Sequence, residues 1–406
     1  MRILVQKFGG SSLATPQARR MALEKIMRAV NDGFKPVVVV SAMGRRGDAY
    51  ATDTLIDLVK GECVHPAPRD LDIIMCCGEM IAAVVMSAML SEQGYETIAL
   101  TGRQAGIITN NNFGNANILR IDSSKMMAAL REGRIPVVCG FQGVTSSGEI
   151  ATLGRGGSDT TATALGATLK AELVEIYTDV EGIMTADPRV VPHAKILDHV
   201  TYGEALQMAQ QGAKIVHPRA VEIAMQKNIP IVIKSTFSNE PGTLVANVNP
   251  LESDDIAIKD RIATGIAYCS DICQLSVLLD KELTHSQSLK IFKAFAEKEI
   301  NIDFINVHPG HVMFTIQERN LSKAIILLKT MELEYNVETD CAKVTVIGGG
   351  MGDVPGVMAS FVEALAANDI KILQTVDSQN SISVLVKAQD IKAAVTALHD
   401  KFGLGL

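Results

Sequence analysis

Short apolar runs rich in β-branched residues recur along the first two thirds of the chain, at Ile3–Val5, Val37–Val40, Thr97–Leu100, Pro136–Cys139, Val174–Tyr177 and Pro230–Ile233. They lack the polar alternation of a half-exposed strand, so each reads as a strand covered on both faces. Such strands pair in parallel, and a parallel pair needs a crossover, usually a helix. Helical patterns do lie between the runs. Met21–Val30 is apolar at 22, 23, 26, 27 and 30, and Met80–Leu90 is apolar almost throughout. This alternation predicts an α/β/α sandwich with ligands at the carboxyl ends of its strands.

The last third repeats itself at an offset of 70 residues. Ala294-Phe295-Ala296 matches Ala364-Leu365-Ala366, Glu299-Ile300-Asn301-Ile302 matches Asp369-Ile370-Lys371-Ile372, and Val312-Met313-Phe314 matches Ile382-Ser383-Val384. Each copy predicts the ferredoxin-like βαββαβ order. Pro241-Gly242 and then Asn249-Pro250 with the acidic stretch to Asp255 read as a boundary. The expected domains are therefore 1–250, 262–336 and 341–406. Two modules this small bury more surface when their sheets pair, and loops facing one another across the pair make a ligand cleft.

Composition narrows the function. Hydrophobic residues make up 47% of the 406 and charged residues 20%, which excludes a disordered or collagen-like chain. Lys and Arg number 38 against 45 acids, a net charge of −7, so no basic excess is available to neutralise a nucleic acid. The seven cysteines form no CxxC pair. Cys269 and Cys273 have no second pair to complete a zinc site, so the cysteines are expected as reduced core residues of a cytoplasmic protein. The apolar N-terminus is broken by Gln6 and Lys7, unlike a signal peptide, and the run Met80–Leu90 is too short to span a bilayer. Neither a nucleic-acid nor a membrane partner is expected.

Four clusters carry chemistry. Lys7-Phe8-Gly9-Gly10-Ser11-Ser12 directly follows the first strand. Its glycines let backbone N–H groups approach an anion, Ser11 and Ser12 are placed to cap a helix, and Lys7 adds positive charge. Further on, Thr152-Leu153-Gly154-Arg155-Gly156-Gly157-Ser158-Asp159 leads into a small-residue helix. The glycines and the Ser-Asp pair predict an anion-binding helix N-terminus, and Arg155 can hold a carboxylate or phosphate in two parallel hydrogen bonds. Asp159 would repel an anion there, so it caps the helix, orients Lys7 or meets a metal ion. The third cluster runs from Tyr177 to Arg189, where Thr178 and Asp179 can bond a nucleobase or ribose and Arg189 can reach phosphates. The fourth is Gly212-Ala213-Lys214-Ile215, with Lys214 a second phosphate cation. Two other motifs are set aside. Gly348-Gly349-Gly350-Met351-Gly352 lacks the spacing of a dinucleotide fingerprint and reads as the loop opening the second repeat copy. His308-Pro309-Gly310-His311 reads as a turn.

Taken in order, KFGGSS (7–12), VVSAMG (39–44), TLGRGGSDTTA (152–162), TDVEGIMTADPR (178–189) and GAKI (212–215) resemble the aspartate kinases of the amino-acid kinase superfamily. The likeness runs along nearly the whole chain, and segment 44–53 is similar to the diaminopimelate-sensitive aspartokinase I type. It implies an amino-acid kinase domain followed by two ACT modules, with ATP and Mg²⁺ as cofactors. Lys7 and Asp159 would be catalytic, and Lys7, Gly9, Gly10 and Ser11 would hold the β- and γ-phosphates. Thr178, Asp179, Met184, Arg189, Lys214 and Ile215 would line the nucleotide site. Ser41, Thr52, Glu79, Arg155 and Ser158 would hold aspartate, with Arg155 on its α-carboxylate and Glu79 on its α-ammonium. Glu79 also reads as an ordinary acid at the start of an apolar helix. No protein side chain is assigned to a metal. The ACT pair would bind an amino-acid effector, diaminopimelate first and lysine or threonine next, near Ser270, Asp271, Asn301, Asp303, Asn306 and Gln374. A homodimer or higher homo-oligomer through the ACT modules is expected. Two other readings stay open: a relative acting on glutamate, carbamate or a nucleotide, and an amino-acid sensor with an inactive kinase domain.

Overall fold

In a computed structural model, which describes residues 1–213, 215–247, 262–349, 351 and 354–405, the six apolar runs all fall on strands of one sheet, Pro230 standing just ahead of its strand. They belong to the first of two compact units, Met1–Ile183 with Ile196–Ala209 and Lys214–Ala257. Its strands are β1 Ile3–Phe8, β2 Lys35–Val40, β3 Thr97–Leu100, β4 Ile107–Thr109, β5 Ile118–Ile121 and β6 Ile135–Cys139. They continue with β7 Gln142–Thr145, β8 Ile150–Thr152, β9 Leu173–Thr178, β10 His199–Val200, β11 Ile231–Ser235 and β12 Thr243–Val245. The helices are α1 Gly10–Leu13, α2 Pro16–Asn31, α3 Thr52–Glu62, α4 Pro68–Glu92, α5 Ser124–Arg131, α6 Gly157–Leu169, α7 Tyr202–Gln210 and α8 Pro218–Lys227.

The main sheet runs β10-β12-β11-β9-β1-β2-β6-β3 and is parallel except where β12 meets β11. Phe8 pairs with Val40 on one side and Tyr177 on the other, so β1, β2 and β9 end level, and their carboxyl ends form a rim. A second, four-stranded sheet, β5-β4-β7-β8, has strands of three or four residues, too short for a sequence pattern to reveal. Pro241-Gly242 is not a boundary. It turns β11 into β12 within one sheet, with Gly242 at φ +82°, and a Cβ there would lie 2.1 Å from the carbonyl oxygen of Ile233. The stretch 249–255 lies outside the described residues.

Helix α4 is much longer than the run Met80–Leu90. Its 25 residues are apolar enough, by length and composition, to cross a membrane. Yet Ala82, Ala83, Met86 and Leu90 pack in a core with Phe8, Val38, Val40 and Val137, and Asp72 and Glu79 are buried on the same helix. These features mark a core helix. The cysteines are free; Cys76, Cys139, Cys273 and Cys341 are buried as expected, whereas Cys63 is exposed.

The second unit comprises Met184–Lys195, Gln210–Ala213 and Ile258–Leu406. Its strands are β13 Gly265–Leu278, β14 Asp303–His308, β15 His311–Gln317, β16 Tyr335–Ile347, β17 Gln374–Ser378 and β18 Ser381–Lys387. Its helices are α9 Thr284–Glu297, α10 Leu321–Thr330, α11 Val357–Ala366 and α12 Ile391–Lys401. The repeat holds in stereochemical detail. Glu299 and Asp369 both have φ +55°, and one residue on, Ile300 and Ile370 donate back to Phe295 and Leu365. His308 and His311 flank a hairpin turn, with Gly310 at φ +87°, as read from the sequence.

The two copies share one sheet, β14-β15-β13-β16-β18-β17, and are not closed the same way. Residues 272–278 of β13 pair with β15 and with the first half of β16, completing the first copy. Residues 265–269 pair with 343–347, so the strand beside the second copy's opening strand comes from in front of the first copy. The second copy, expected over 341–406, therefore borrows its closing strand from residues 265–269.

Candidate active site

The first cluster sits on the rim. The Gly9 N–H donates to the Tyr177 carbonyl at 3.1 Å, and the Ser41 N–H to that of Phe8 at 3.1 Å, tying the turns after β1 and β2 to the strand ends. A Cβ on Gly10 would lie 2.6 Å from the Gly44 carbonyl oxygen and 2.8 Å from that of Ala42, so only glycine fits between these turns. Ser11 and Ser12 are not caps. They lie inside the short helix α1, and the Ser12 hydroxyl accepts from Thr236 at 2.7 Å. The α2 cap is Thr15, which accepts from the Ala18 N–H.

Lys7 and Asp159, 152 residues apart, meet at this rim with Nζ to Oδ1 2.6 Å and both side chains about nine-tenths buried. Asp159 is not the N-cap of α6. That position is Gly156, at φ +68°, which leaves the Asp159 carboxylate free to hold the Lys7 ammonium. The helix start is locked from several sides. Ser158 packs against Gly140, and Thr161 Oγ1 accepts from the Phe141 N–H at 3.1 Å. Asp72, fully buried, accepts from the Thr152 N–H at 2.8 Å, the Thr152 hydroxyl at 2.7 Å and the Gly114 N–H at 3.0 Å. Arg155 is exposed in the turn before α6.

Glu79 stands well inside α4, so a role as a dipole-favoured first-turn acid is ruled out. It is 2% exposed; Oε1 accepts the Ala42 N–H at 3.0 Å, and Oε2 has no hydrogen-bond partner among the described residues. Burial outweighs the backbone hydrogen bonds and pushes its pKa up to about 8. A buried carboxylate oxygen without a donor is a costly arrangement that a cationic ligand would relieve. Gly78 beside it lies against Ala42 and the Tyr50 carbonyl, which brings the loop leading to Thr52, the first residue of α3, onto the same helix.

Thr178 ends β9 and Asp179 follows it. The Thr178 hydroxyl donates to Asp179 Oδ1 at 3.0 Å, and Arg45 holds Asp179 Oδ2 at 2.5 Å. Ile215 is half-buried three residues before α8, and Lys214 lies outside the described residues. Met184 and Arg189 belong to the second unit. There Arg189 forks onto Asp187, with Nη2 2.7 Å from Oδ2.

Three side chains near the site were missed in the sequence. The His217 ring covers the Gly156 turn, at 2.2 Å from where a Cβ would be, and burial lowers its pKa. Arg219 donates to the carbonyl oxygens of Leu153 and Ala116 at 3.0 and 2.9 Å, and Arg45 pairs with Asp179 as above. The only sequence signal was His217-Pro218, a cap followed by proline at the start of a helix.

In the second unit Asp303, Asn306 and Gln374 come together. Gln374 donates to the Phe304 carbonyl and, at 3.0 Å, to Asn306 Oδ1, and accepts from Gln274 at 2.7 Å. Lys343 pairs with Asp303 at 2.5 Å; burial alone would raise the Asp303 pKa, but the lysine's hydrogen bond and charge outweigh it and hold the carboxyl below its usual range. Ser270 and Asp271 hydrogen-bond each other at a bulge in β13, and Asn301 is exposed. Gln274 and Lys343 had no sequence signal.

Residues 2–235 match the model of the amino acid kinase family, and residues 336–400 match that of the ACT domain. Over its full length the chain is 45% identical to aspartokinase 1 of Bacillus subtilis, all of which is covered. It is 39% identical to an aspartokinase of Geobacillus stearothermophilus, with all of this chain and 98% of that one aligned. Among solved structures it is similar to E. coli aspartokinase III in complex with aspartate and ADP, at a TM-score of 0.80 and 24% identity over 98% of this chain and 99% of the other, a likeness of fold. The same enzyme in complex with lysine and aspartate matches at a TM-score of 0.76 and 25% identity, over the same shares. Full-length identity of this size, joined to a kinase family model and an ACT model in one chain, establishes that this protein belongs to the aspartokinases of the amino acid kinase family.

Proposed function

We propose that the chain transfers the γ-phosphoryl group of MgATP to the side-chain carboxylate of L-aspartate, giving 4-phospho-L-aspartate and ADP. This would be the first step toward the lysine/diaminopimelate, threonine and methionine branch of amino-acid biosynthesis. The single observation that carries the reading is the Lys7–Asp159 pair at the glycine turn of the sheet rim. The acceptor carboxylate, with a reference pKa of about 3.9, is already ionised near neutral pH, so no general base is required. The obstacle is an anion approaching an anion. Lys7 and the backbone N–H groups of Gly10 and Ser11 would offset charge on the phosphoryl group, the Gly9 N–H being held by the Tyr177 carbonyl, and Asp159 would aim Lys7. Glu79 would take the α-ammonium of aspartate on its unpartnered oxygen, Arg155 its α-carboxylate, and Ser41, Thr52 and Ser158 would complete the pocket. Thr178, Asp179, Lys214 and Ile215 would line the nucleotide.

Mg²⁺ takes oxygen ligands and commonly keeps waters and phosphate oxygens in its shell. The donors present fit that habit, since Asp159 spends one carboxylate oxygen on Lys7 and retains another. When bound, the ion would supply charge neutralisation on the phosphates.

We further propose a catalytic domain over 1–250, with residues 262–336 and 341–406 as ACT modules that pass end-product feedback to it. The ligand would be diaminopimelate first, lysine or threonine next, beside Asp303, Asn306 and Gln374. The lysine complex of the E. coli relative supports an amino-acid effector. A cytoplasmic homo-oligomer fits this role. The test is ATP-dependent hydroxamate formation from aspartate, glutamate and acetylglutamate, with and without diaminopimelate, lysine and threonine. Turnover of aspartate alone, lowered by one effector, is expected. Preference for another acid would overturn the acceptor, and no turnover at all would leave a sensor. If no effector moves either activity or melting temperature, the feedback role is wrong.

A further inference from the structure

Helix α12 turns His399 into the interior of the second unit, where the ring is fully buried. Its Nε2 lies 2.9 Å from Thr185 Oγ1, which also accepts the Lys195 N–H at 3.0 Å. Its Nδ1 has no hydrogen-bond partner among the described residues. That nitrogen lies 3.9 Å from Asp400 Oδ1, and the same oxygen is 3.0 Å from His193 Nε2. The two imidazoles meet edge to face with centroids 5.0 Å apart. Val191, fully buried in one core with Leu398 and Leu404, fixes the 184–195 segment against α12 and so brings His193 into place. One ligand atom from each of His193, His399 and Asp400 lies within 4.8 Å of the other two.

We propose that His193, His399 and Asp400 bind a divalent transition-metal ion of the zinc class. Two imidazoles and one carboxylate, with room left for water, are the ligand set of open zinc sites. Magnesium and calcium favour an all-oxygen shell and fit poorly. The hydrogen bonds already present are compatible with a ligating tautomer. Thr185 Oγ1 has two lone pairs, enough to accept both the Lys195 N–H and a His399 Nε2–H, and this leaves the Nδ1 lone pair facing the carboxylate and His193. Zinc–ligand lengths of about 2.0–2.2 Å place tetrahedral ligand atoms roughly 3.3 Å apart. The 3.0 and 3.9 Å separations bracket that value. His193 and Asp400 are both exposed, so they can adjust and an ion can enter from solvent. Bound there, the ion would staple the 184–195 segment to α12 and stabilise the second unit.

The experiment uses the full chain, freed of metal by a chelator. It is titrated with zinc chloride against a competing chromophoric chelator and melted with and without zinc. One tight equivalent per chain and a raised melting temperature are expected. His193→Ala and Asp400→Ala, changes at exposed positions that leave the fold intact, should each weaken binding about tenfold or more and remove the thermal gain. Thr185→Val should weaken binding by about 10–100-fold through loss of the outer hydrogen bond. The double variant His308→Ala/His311→Ala, which removes the other close histidine pair, should bind as the wild type does. No saturable binding by the wild type would overturn the proposal. So would binding that survives both His193→Ala and Asp400→Ala, or binding lost in the His308/His311 double variant.

Discussion

Replacing Glu79 by glutamine separates charge from shape. Glutamine keeps an oxygen to accept the Ala42 N–H, so the loop after β2 stays tied to α4. What disappears is the negative charge that is proposed to meet the aspartate ammonium. A hydrogen bond to a charged group contributes about 1.5–3 kcal/mol, so KM for aspartate should rise roughly 10–150-fold with a smaller change in kcat. The raised pKa of about 8 adds a sharper signature. Only the ionised carboxylate binds the ammonium, so apparent affinity scales with the ionised fraction, about 1% at pH 6 and about half at pH 8. KM for aspartate should therefore fall roughly fiftyfold from pH 6 to pH 8 in the wild type and stay nearly flat in Glu79→Gln. Stability has the opposite sign. The folded, ligand-free protein holds a proton on Glu79 that the unfolded chain loses near 4.5, so stability falls as pH rises from about 4.5 to about 8. In Glu79→Gln that contribution to the slope should vanish, leaving those of other titrating groups such as His217. Initial rates at several aspartate concentrations and pH values, with melting curves in the same buffers, give both readings. A wild-type KM that ignores pH, or a glutamine variant with an unchanged KM, would refute the reasoning.

Two further substitutions probe the helix start. Asp159→Asn leaves Lys7 buried without its counter-charge, and breaking such a pair costs about 3–5 kcal/mol. The drop in kcat should be the same at every pH from 6 to 9, as positioning requires, whereas a catalytic base would imprint its own titration on the profile. Gly156→Ala forces an αL backbone on alanine, costing about 1–3 kcal/mol, and drives a Cβ into the His217 ring. Urea unfolding should show that loss, and KM for aspartate should rise because Arg155 and Ser158 flank the turn.

The sequence was most readable where chemistry and backbone coincide. Lys7 and the two glycines could be placed because a strand ending in Gly-Gly has few other conformations. The six apolar runs could be placed because a strand covered on both faces tolerates little else. Glu79 was misplaced because nothing near it marks where α4 begins; the true start signal is Pro68, eleven residues earlier. Asp159 looked like a cap because its preference for Lys7 depends on a contact across 152 residues of chain. The borrowed strand 265–269 was hidden for the same reason, since its partners at 343–347 lie far along the chain and repeat matching assigns them elsewhere. His399 gave no sign at all, because burial at one position of an amphipathic helix has no signature in residue identity.

The most direct measurement is the turnover of Lys7→Ala with saturating ATP and aspartate. If Lys7 offsets the charge of two mutually repelling anions, kcat should fall by roughly 10²–10³, the cost of losing one preorganised charge-stabilising donor. Near-normal turnover in that variant would contradict it.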